Sequence, residues 1–430
     1  MTTRTTPRAT ELAVASWPGT VPRLLQTEPG VEEYVDYVRR GGYQPLDDPG
    51  RLLDEVDRSG VLGRGGAAFP LAVKLKTVRD AGRTSQRTVV LANGEEGEPA
   101  SVKDRWLLRH RPHLVLDGVR LAARIVAADQ AYVYVSDRMS AEALENALAA
   151  ADIDLPIAVV TVEAGYVAGE ETAAVRAING GPAKPTDNPP RPFEQGVGGH
   201  PTLVSNVETL ANLPFVLRHG ADAYRSVGTS ASPGTFLATI TGAGRPPVLY
   251  ELPHGVAFTD LLARHGVSTD DVSGVLMGGY FAGLLDTEVL DATLDHETMH
   301  RLGSGLGCGA VAILTEDCPV AVAASVMAYF DRENAGQCGS CFNGTAAMSA
   351  VTSALRDGQA TADDLSRLER WSVVLRGRGA CATLDAATNV AATLLQRFPE
   401  VVGRHIDGGC DACGIDPYSV LRPYEVEALP

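Results

Sequence analysis

The chain has 430 residues, 45% of them hydrophobic and 21% charged, with a formal net charge of −16. That length calls for two or three domains rather than one core, and the composition is that of a globular protein. The negative balance counts against wrapping nucleic acid or docking on anionic lipid, and no apolar run reaches the roughly 18 residues of a membrane span.

Residues 1–50 are set apart as an N-terminal segment; they hold no apolar stretch of the signal-peptide kind, so a cytoplasmic location is expected. Residues 51–230 read as α/β. Strand-like runs at Thr88–Ala92, Ala131–Val135 and Pro156–Val162 alternate with helical periodicity at Pro112–Ala127 and Ser140–Ala151, which predicts a parallel sheet flanked by helices. Proline and glycine crowd Gly180–Pro201, a long loop of the kind that is often functional. Residues 231–312 change to short strands (Thr235–Thr241, Val248–Leu252, Gly274–Met277) around one helix, Phe258–His265, a small α+β module. Over 313–405, segments near 319–332, 340–356, 361–375 and 383–397 carry apolar residues at helical spacing with short connections, which predicts an antiparallel bundle. The stretch from about Asp407 is polar and glycine-rich and reads as a tail, residues 406–430.

Four segments carry chemical signals. Gly63-Arg64-Gly65-Gly66-Ala67-Ala68-Phe69-Pro70 is either a structural turn or an anion cradle: glycines let backbone N–H groups approach closely, Pro70 suits the first turn of a following helix, and Lys74, one of only four lysines, adds charge. It matches neither the dinucleotide fingerprint nor a Walker A loop. Asn93-Gly94-Glu95-Glu96-Gly97-Glu98-Pro99 puts three carboxylates in a turn at a strand's C-terminal end, where open α/β sheets bind ligands; the turn is either a solvated acidic loop or a holder of sugar hydroxyls. Tyr166-Val167-Ala168-Gly169-Glu170-Glu171-Thr172 again follows a strand and opens a helix, where the macrodipole alone explains Glu. Ser205-Asn206-Val207-Glu208-Thr209-Leu210 is the fourth.

In order and spacing, these segments, with Lys103-Asp104-Arg105 and Arg111-Pro112-His113-Leu114, resemble the flavin-bearing NADH dehydrogenase subunit of complex I. Related subunits occur in NAD-dependent hydrogenases and formate dehydrogenases. The resemblance runs from about residue 55 to about residue 405. It implies a Rossmann-like FMN-binding domain, a ubiquitin-like β-grasp module and a C-terminal four-helix bundle. It also implies FMN contacts at Gly63, Arg64, Gly65, Gly66, Lys74, Asn93, Glu96, Gly169, Glu170, Asn206 and Thr209. Glu95 stands where the family usually has Asp, and Ser205 where it has the first Asn of a pair; both stay polar and are kept as contacts. Phe69, Glu98, Tyr166 and Glu171 match dinucleotide positions, and Glu96, Tyr166 and Glu171 are the expected catalytic residues.

Two family features are altered. Thr77 replaces a second adenine-stacking aromatic, and the family's Lys-Pro-Pro-Phe is Asn188-Pro189-Pro190-Arg191. Two rings and a lysine are thus missing, at about 1–3 kcal/mol per stacked ring. Arg191 either compensates by stacking or pairing with a 2′-phosphate, which would favour NADPH over NADH, or is a solvated loop arginine.

All seven cysteines lie in the last third, an odd number that points to metal or redox chemistry and not to a disulfide framework. The family's iron–sulfur region holds a 4Fe–4S cluster by a C-x2-C-x2-C run and a fourth cysteine about forty residues on. Here Cys338, Cys341 and Cys381 match, but the first position is Ala335. The cluster is either lost, or held by three thiolates with a substitute ligand or as a 3Fe–4S form, or completed by another cysteine such as Cys308, Cys410 or Cys413. Cys410-Asp411-Ala412-Cys413 is a ligand pair only if other partners join it, and otherwise part of a flexible tail. The implied activity is FMN-dependent oxidation of NADH or NADPH. Single electrons would pass to an iron–sulfur centre or to a partner such as a ferredoxin or a thioredoxin-like iron–sulfur subunit, within a multi-subunit complex. The alternatives are a flavoprotein served only by protein partners, and a non-catalytic assembly subunit.

Overall fold

The computed structural model describes residues 12–26, 30–85, 87–415, 418–427 and 429. A four-stranded sheet has the order Ile157–Thr161, Gln130–Val135, Val89–Asn93, Thr202–Asn206, and every pairing is parallel. Val89–Asn93 is central and reads as a continuous apolar run because both faces are covered, as parallel sheets require. The helix Pro112–Val126 starts with proline in its first turn and buries residues on all sides against this sheet. Register places Asn93 beside Tyr134 and Asn206. The C-terminal ends of these strands therefore form one edge, from which the turn at 94–101 and the segment at 162–170 emerge.

A second sheet has six strands in the order Ala13–Ser16, Val248–Pro253, Thr235–Gly242, Ala310–Leu314, Gly274–Met277, Leu284–Leu285. Thr235–Gly242 is antiparallel to Val248–Pro253 and parallel to Ala310–Leu314. Phe258–His265 packs Phe258, Leu261 and Leu262 against it. Residues 13–25 of the N-terminal segment join this module. Ala13–Ser16 pairs in parallel with Val248–Pro253, and the buried carboxylate of Glu251 accepts from the N–H groups of Arg23 (2.8 Å), Leu24 (3.0 Å) and Leu25 (2.9 Å).

Four successive helices, Pro319–Glu333, Gly339–Arg356, Ala362–Val374 and Thr383–Arg397, share an apolar core that includes Val326, Phe330, Met348, Leu355, Leu368, Val390 and Leu394. In the stretch from Asp407, expected as a tail, some of the described residues touch the rest of the protein. The helix Pro399–Ile406 is followed by Asp411–Ile415. Farther on, the Tyr424 hydroxyl donates to Asp317 (2.9 Å), and the Val426 N–H donates to the Pro99 carbonyl (3.1 Å). Among the described residues, no helix is long and apolar enough to cross a membrane.

Candidate functional site

At the C-terminal edge of the parallel sheet lies a cavity of about 390 Å³, within the range of small-molecule and cofactor sites. All four segments line it: Gly63–Phe69 with Lys74, Asn93 with Glu95–Glu98, Tyr166–Val167 with Gly169–Glu171, and Ser205, Asn206 and Thr209. The glycine loop is pinned at its base, where the Gly63 N–H donates to the Phe69 carbonyl (2.9 Å) and the Arg64 N–H donates to the Thr209 hydroxyl (2.8 Å). Gly66 sits at φ 113°, left-handed backbone that favours glycine, and a Cβ there would meet nothing within 4 Å. The loop is thus a backbone wall, open on the side of the cavity.

Below the loop is a buried polar network. The Lys103 ammonium lies 2.7 Å from Asp104 and 3.0 Å from Glu208. The Asn206 side chain donates to Asp104 (2.7 Å), and its carbonyl caps the helix Val207–Ala211 through the Glu208 N–H (3.0 Å). Burial works against the Lys103 charge, but Asp104, Glu208 and Glu96 together outweigh it and hold the ammonium above its ordinary range. The Arg64 guanidinium turns into this interior: it donates to the Thr235 carbonyl (3.0 Å) and meets His254 Nε2 at 3.2 Å. Arg64 therefore meets the cavity mainly through its backbone.

The acidic turn divides its labour. The Glu96 carboxylate accepts from the Ser101 hydroxyl (2.6 Å), the Asp104 N–H (3.2 Å) and the Arg105 N–H (3.1 Å), so it caps the helix Lys103–His110. Glu170 does the same for the helix Glu171–Ile178 through the N–H groups of Thr172 (2.9 Å) and Ala173 (3.1 Å). Both carboxylates sit where an N-terminal dipole favours them. Asn93 Nδ2 donates to the Gly169 carbonyl (2.8 Å), joining the second segment to the third. Glu95 and Glu98 each keep one buried oxygen without a partner among the described residues. Burial raises Glu95 above the ordinary carboxylate range and pushes Glu98 up to about 8, against the pull of the Tyr280 and Ala100 N–H groups. Lys74 donates to the Val204 carbonyl (3.1 Å) and lies 3.7 Å from Glu171.

Aromatic groups bound two sides. Phe69 and Phe281 both line the cavity and stay exposed, at 46% and 40%. Tyr166 packs edge-on against Tyr329 and Phe330, with ring centroids 5.7 and 5.3 Å away. Thr77 bonds back to the Val73 carbonyl (2.9 Å) and Arg191 is an exposed loop residue whose N–H meets Glu194 (2.8 Å). Neither is among the residues that line the cavity.

Sequence reasoning missed part of the wall. Lys103 and Asp104 line the cavity, although the sequence presents them only as part of a shared segment. Gly278, Phe281, Gly307 and Cys308 arrive from the small module, and Cys381–Thr383 from the C-terminal helices. The unusual Gly278-Gly279-Tyr280-Phe281 run was a usable signal. Its Tyr280 N–H donates to Glu98 (2.9 Å), and a Cβ on Gly279 would come within 2.7 Å of that carboxylate.

Cys338 caps the helix Gly339–Arg356, Cys341 lies in its first turn, and the Ala380 N–H points at the Cys338 sulfur (3.4 Å). Burial, with Cys381 and Cys338 next to it, pushes the Cys341 thiol up to about 12. Three thiols thus gather beside the cavity wall that Cys381 forms. The Ala335 carbonyl accepts from Lys184 (2.9 Å), so that loop is docked on residues 184–185. Three thiolates do not complete a four-cysteine set, and Cys410 and Cys413 cannot complete it. They meet Cys318, at the opposite end of the 15-residue helix that leads to Ala335, about 22 Å away at 1.5 Å per residue.

The profile of the Nuo51 FMN-binding domain matches residues 56–215, and that of the NADH-ubiquinone oxidoreductase-F iron-sulfur binding region matches residues 321–405. A subunit of the NADH-quinone oxidoreductase of Mycobacterium tuberculosis is 31% identical over 409 residues, 89% of this chain and 92% of that protein. The Aquifex aeolicus protein of the same name is 30% identical over 398 residues, 87% of this chain and 91% of that protein. Among solved structures, the NAD+-reducing NiFe-hydrogenase in the H2-reduced state superposes with a TM-score of 0.76 at 30% identity. That match covers 84% of this chain and 64% of the hydrogenase chain, so this chain spans less than two thirds of it.

Proposed function

The chain belongs to the NADH-oxidising flavoprotein family of the NADH-quinone oxidoreductases, and from that premise we propose that it is an FMN-dependent oxidoreductase. Its donor would be NADH or NADPH. Its acceptor would be an iron–sulfur centre at Cys338, Cys341 and Cys381, or a partner protein such as a ferredoxin or a thioredoxin-like iron–sulfur subunit. The observation that carries the reading is convergence: four segments spread from residue 63 to residue 209, two exposed rings and Cys381 line one cavity.

Residues 51–230 are read as the Rossmann-like FMN domain, 231–312 as a β-grasp module and 313–405 as a four-helix bundle. Bound in this cavity, FMN would supply the exchange of a hydride for two single electrons. The open glycine wall and the unpartnered oxygens of Glu95 and Glu98 suit a ligand that brings both an anion and hydrogen-bonding groups. Gly63, Arg64, Gly65, Gly66 and Lys74 would hold the phosphate-bearing end; Asn93, Glu95, Gly169, Glu170, Ser205, Asn206 and Thr209 would line the remainder. Glu96 acts by fixing the helix Lys103–His110 under the site. Phe69 and Phe281 offer flat faces to the nicotinamide donor, while Glu98, Tyr166 and Glu171 supply polar contacts that orient it. Phe281, from another part of the chain, offsets the aromatic missing at Thr77. Seven free cysteines suit the reducing cytoplasm, and relatives named as subunits support membership of a multi-subunit complex.

Anaerobically purified protein is expected to show a flavin band that NADH or NADPH bleaches. A band that only dithionite bleaches would remove the nucleotide donor, and the absence of flavin would remove the whole reading. Gly97→Ala gives a sharper structural check. A Cβ at Gly97 would lie 2.9 Å from the Gly165 carbonyl oxygen and from Tyr166 Cα, forcing two cavity segments apart. Overpacking of this kind costs about 1–3 kcal/mol, so fluorescence titration of the variant is expected to show FMN bound about tenfold more weakly.

A further inference from the structure

A second thiol cluster lies far from the cavity. Cys318, His405, Cys410 and Cys413 each bring one ligand atom within 4.8 Å of all the others. The Cys318 sulfur is 3.8 Å from the Cys410 sulfur and 3.3 Å from His405 Nε2. A tetrahedral ion with sulfur at about 2.3 Å and nitrogen at about 2.0 Å places two sulfurs about 3.8 Å apart and sulfur and nitrogen about 3.5 Å apart. A cubane, with four irons between its ligands, needs a wider set.

The surroundings hold the four side chains in place around one point. Cys318 occupies the N-cap position of the helix Pro319–Glu333 and is buried, so its sulfur is fixed beside Cys410 and His405. His405 is 2% exposed, and its ring hydrogen-bonds to the backbone carbonyls of Leu355 and Arg356. A carbonyl on one ring nitrogen leaves the lone pair of the other for a metal. Cys410 and Cys413 are brought together by one tight turn, in which the Cys413 N–H donates to the Cys410 carbonyl (3.0 Å).

We propose that Cys318, His405, Cys410 and Cys413 bind a structural zinc ion that staples the C-terminal segment to the helical core. Four protein ligands leave no open position, which distinguishes a structural from a catalytic site. The stapled segment continues to Val426, which bonds to Pro99 and accepts from Arg105 (3.2 Å), so the ion secures a strap that ends on the acidic turn of the cavity.

The test uses the full chain purified under nitrogen and dialysed without chelator, analysed for metals by mass spectrometry. About one zinc ion per chain is expected, and the Cys410→Ser/Cys413→Ser double variant is expected to lose it. Because that variant can fail to fold, cobalt exchange into the unaltered protein provides a second measurement. Thiolate charge-transfer absorption and the visible bands of a tetrahedral centre are expected. Protein that takes up neither zinc nor cobalt, a Cys318–Cys410 or Cys410–Cys413 disulfide found by peptide mapping, or iron with labile sulfide at these four residues would each overturn the proposal.

Discussion

Lys103→Met is expected to lower folding stability by about 3–5 kcal/mol, the cost of breaking a buried ion pair by removing one partner. Lys103 is 2% exposed and holds two carboxylates, Asp104 at 2.7 Å and Glu208 at 3.0 Å, themselves almost fully enclosed. Methionine fills the same space without the charge, so the loss is electrostatic and not a cavity effect. Burial already pushes Asp104 up to about 7, well above the ordinary carboxylate range. A carboxyl raised in this way stabilises the fold fully below about pH 4 and loses that contribution as pH rises through about 7. The Lys103→Met penalty is therefore expected to be larger at pH 8 than at pH 5.5, and Lys103→Met/Asp104→Asn is expected to recover part of it. Urea denaturation of the three proteins at both pH values checks this; a Lys103→Met penalty below about 1 kcal/mol at pH 8 would show that the network carries little. The same variant is expected to release flavin, because Asn206, a cavity residue, is held by Asp104.

That network shows where sequence reading stops. Helices were legible because their apolar spacing is local: the segment expected near 383–397 is the helix Thr383–Arg397, and that near 340–356 is Gly339–Arg356. The strand expected at Thr88–Ala92 is Val89–Asn93, a shift of one residue that puts Asn93 in register with Asn206. The four chemical segments were legible for the same reason, each being a short run of glycine or polar residues next to a strand or helix end. Relationships across long separations were not. Nothing near Ala13 announces that it pairs with Val248, and nothing near Cys410 announces Cys318. Side-chain direction was equally hidden. Arg64 follows a glycine in a loop suited to anions, yet its guanidinium turns into the interior, where Thr235 and His254 engage its terminal nitrogens. Glu96 stands among acids facing the cavity, yet its oxygens are occupied by Ser101, Asp104 and Arg105. In both cases the donors or acceptors that claim the group lie on other elements or beyond the turn, out of reach of a local pattern.

Glu98→Gln is expected to abolish the alkaline limb of nucleotide-driven flavin reduction. In the unaltered protein burial pushes the Glu98 carboxyl up to about 8, so at neutral pH it is mainly protonated. One oxygen accepts from the Tyr280 N–H (2.9 Å) and the other is buried without a partner among the described residues, an O–H donor available to whatever enters the cavity. Above about pH 8 the proton leaves, the donor becomes a charge, and kcat/KM is expected to fall by about tenfold per pH unit. Glutamine keeps a donor and cannot ionise, so its profile is expected to stay level through the same range. Glu98→Ala removes the donor at every pH and is expected to lower kcat/KM by about tenfold or more, the scale of one hydrogen bond to a buried group. Folding stability follows the same sign. A raised carboxyl stabilises the fold below its unfolded value near 4.5 and loses that contribution as pH rises through about 8, so the unaltered protein is expected to lose stability over that interval faster than Glu98→Gln. Persistence of the alkaline limb in Glu98→Gln would assign the titration to another group at the cavity and leave Glu98 as a structural tie to Tyr280 alone.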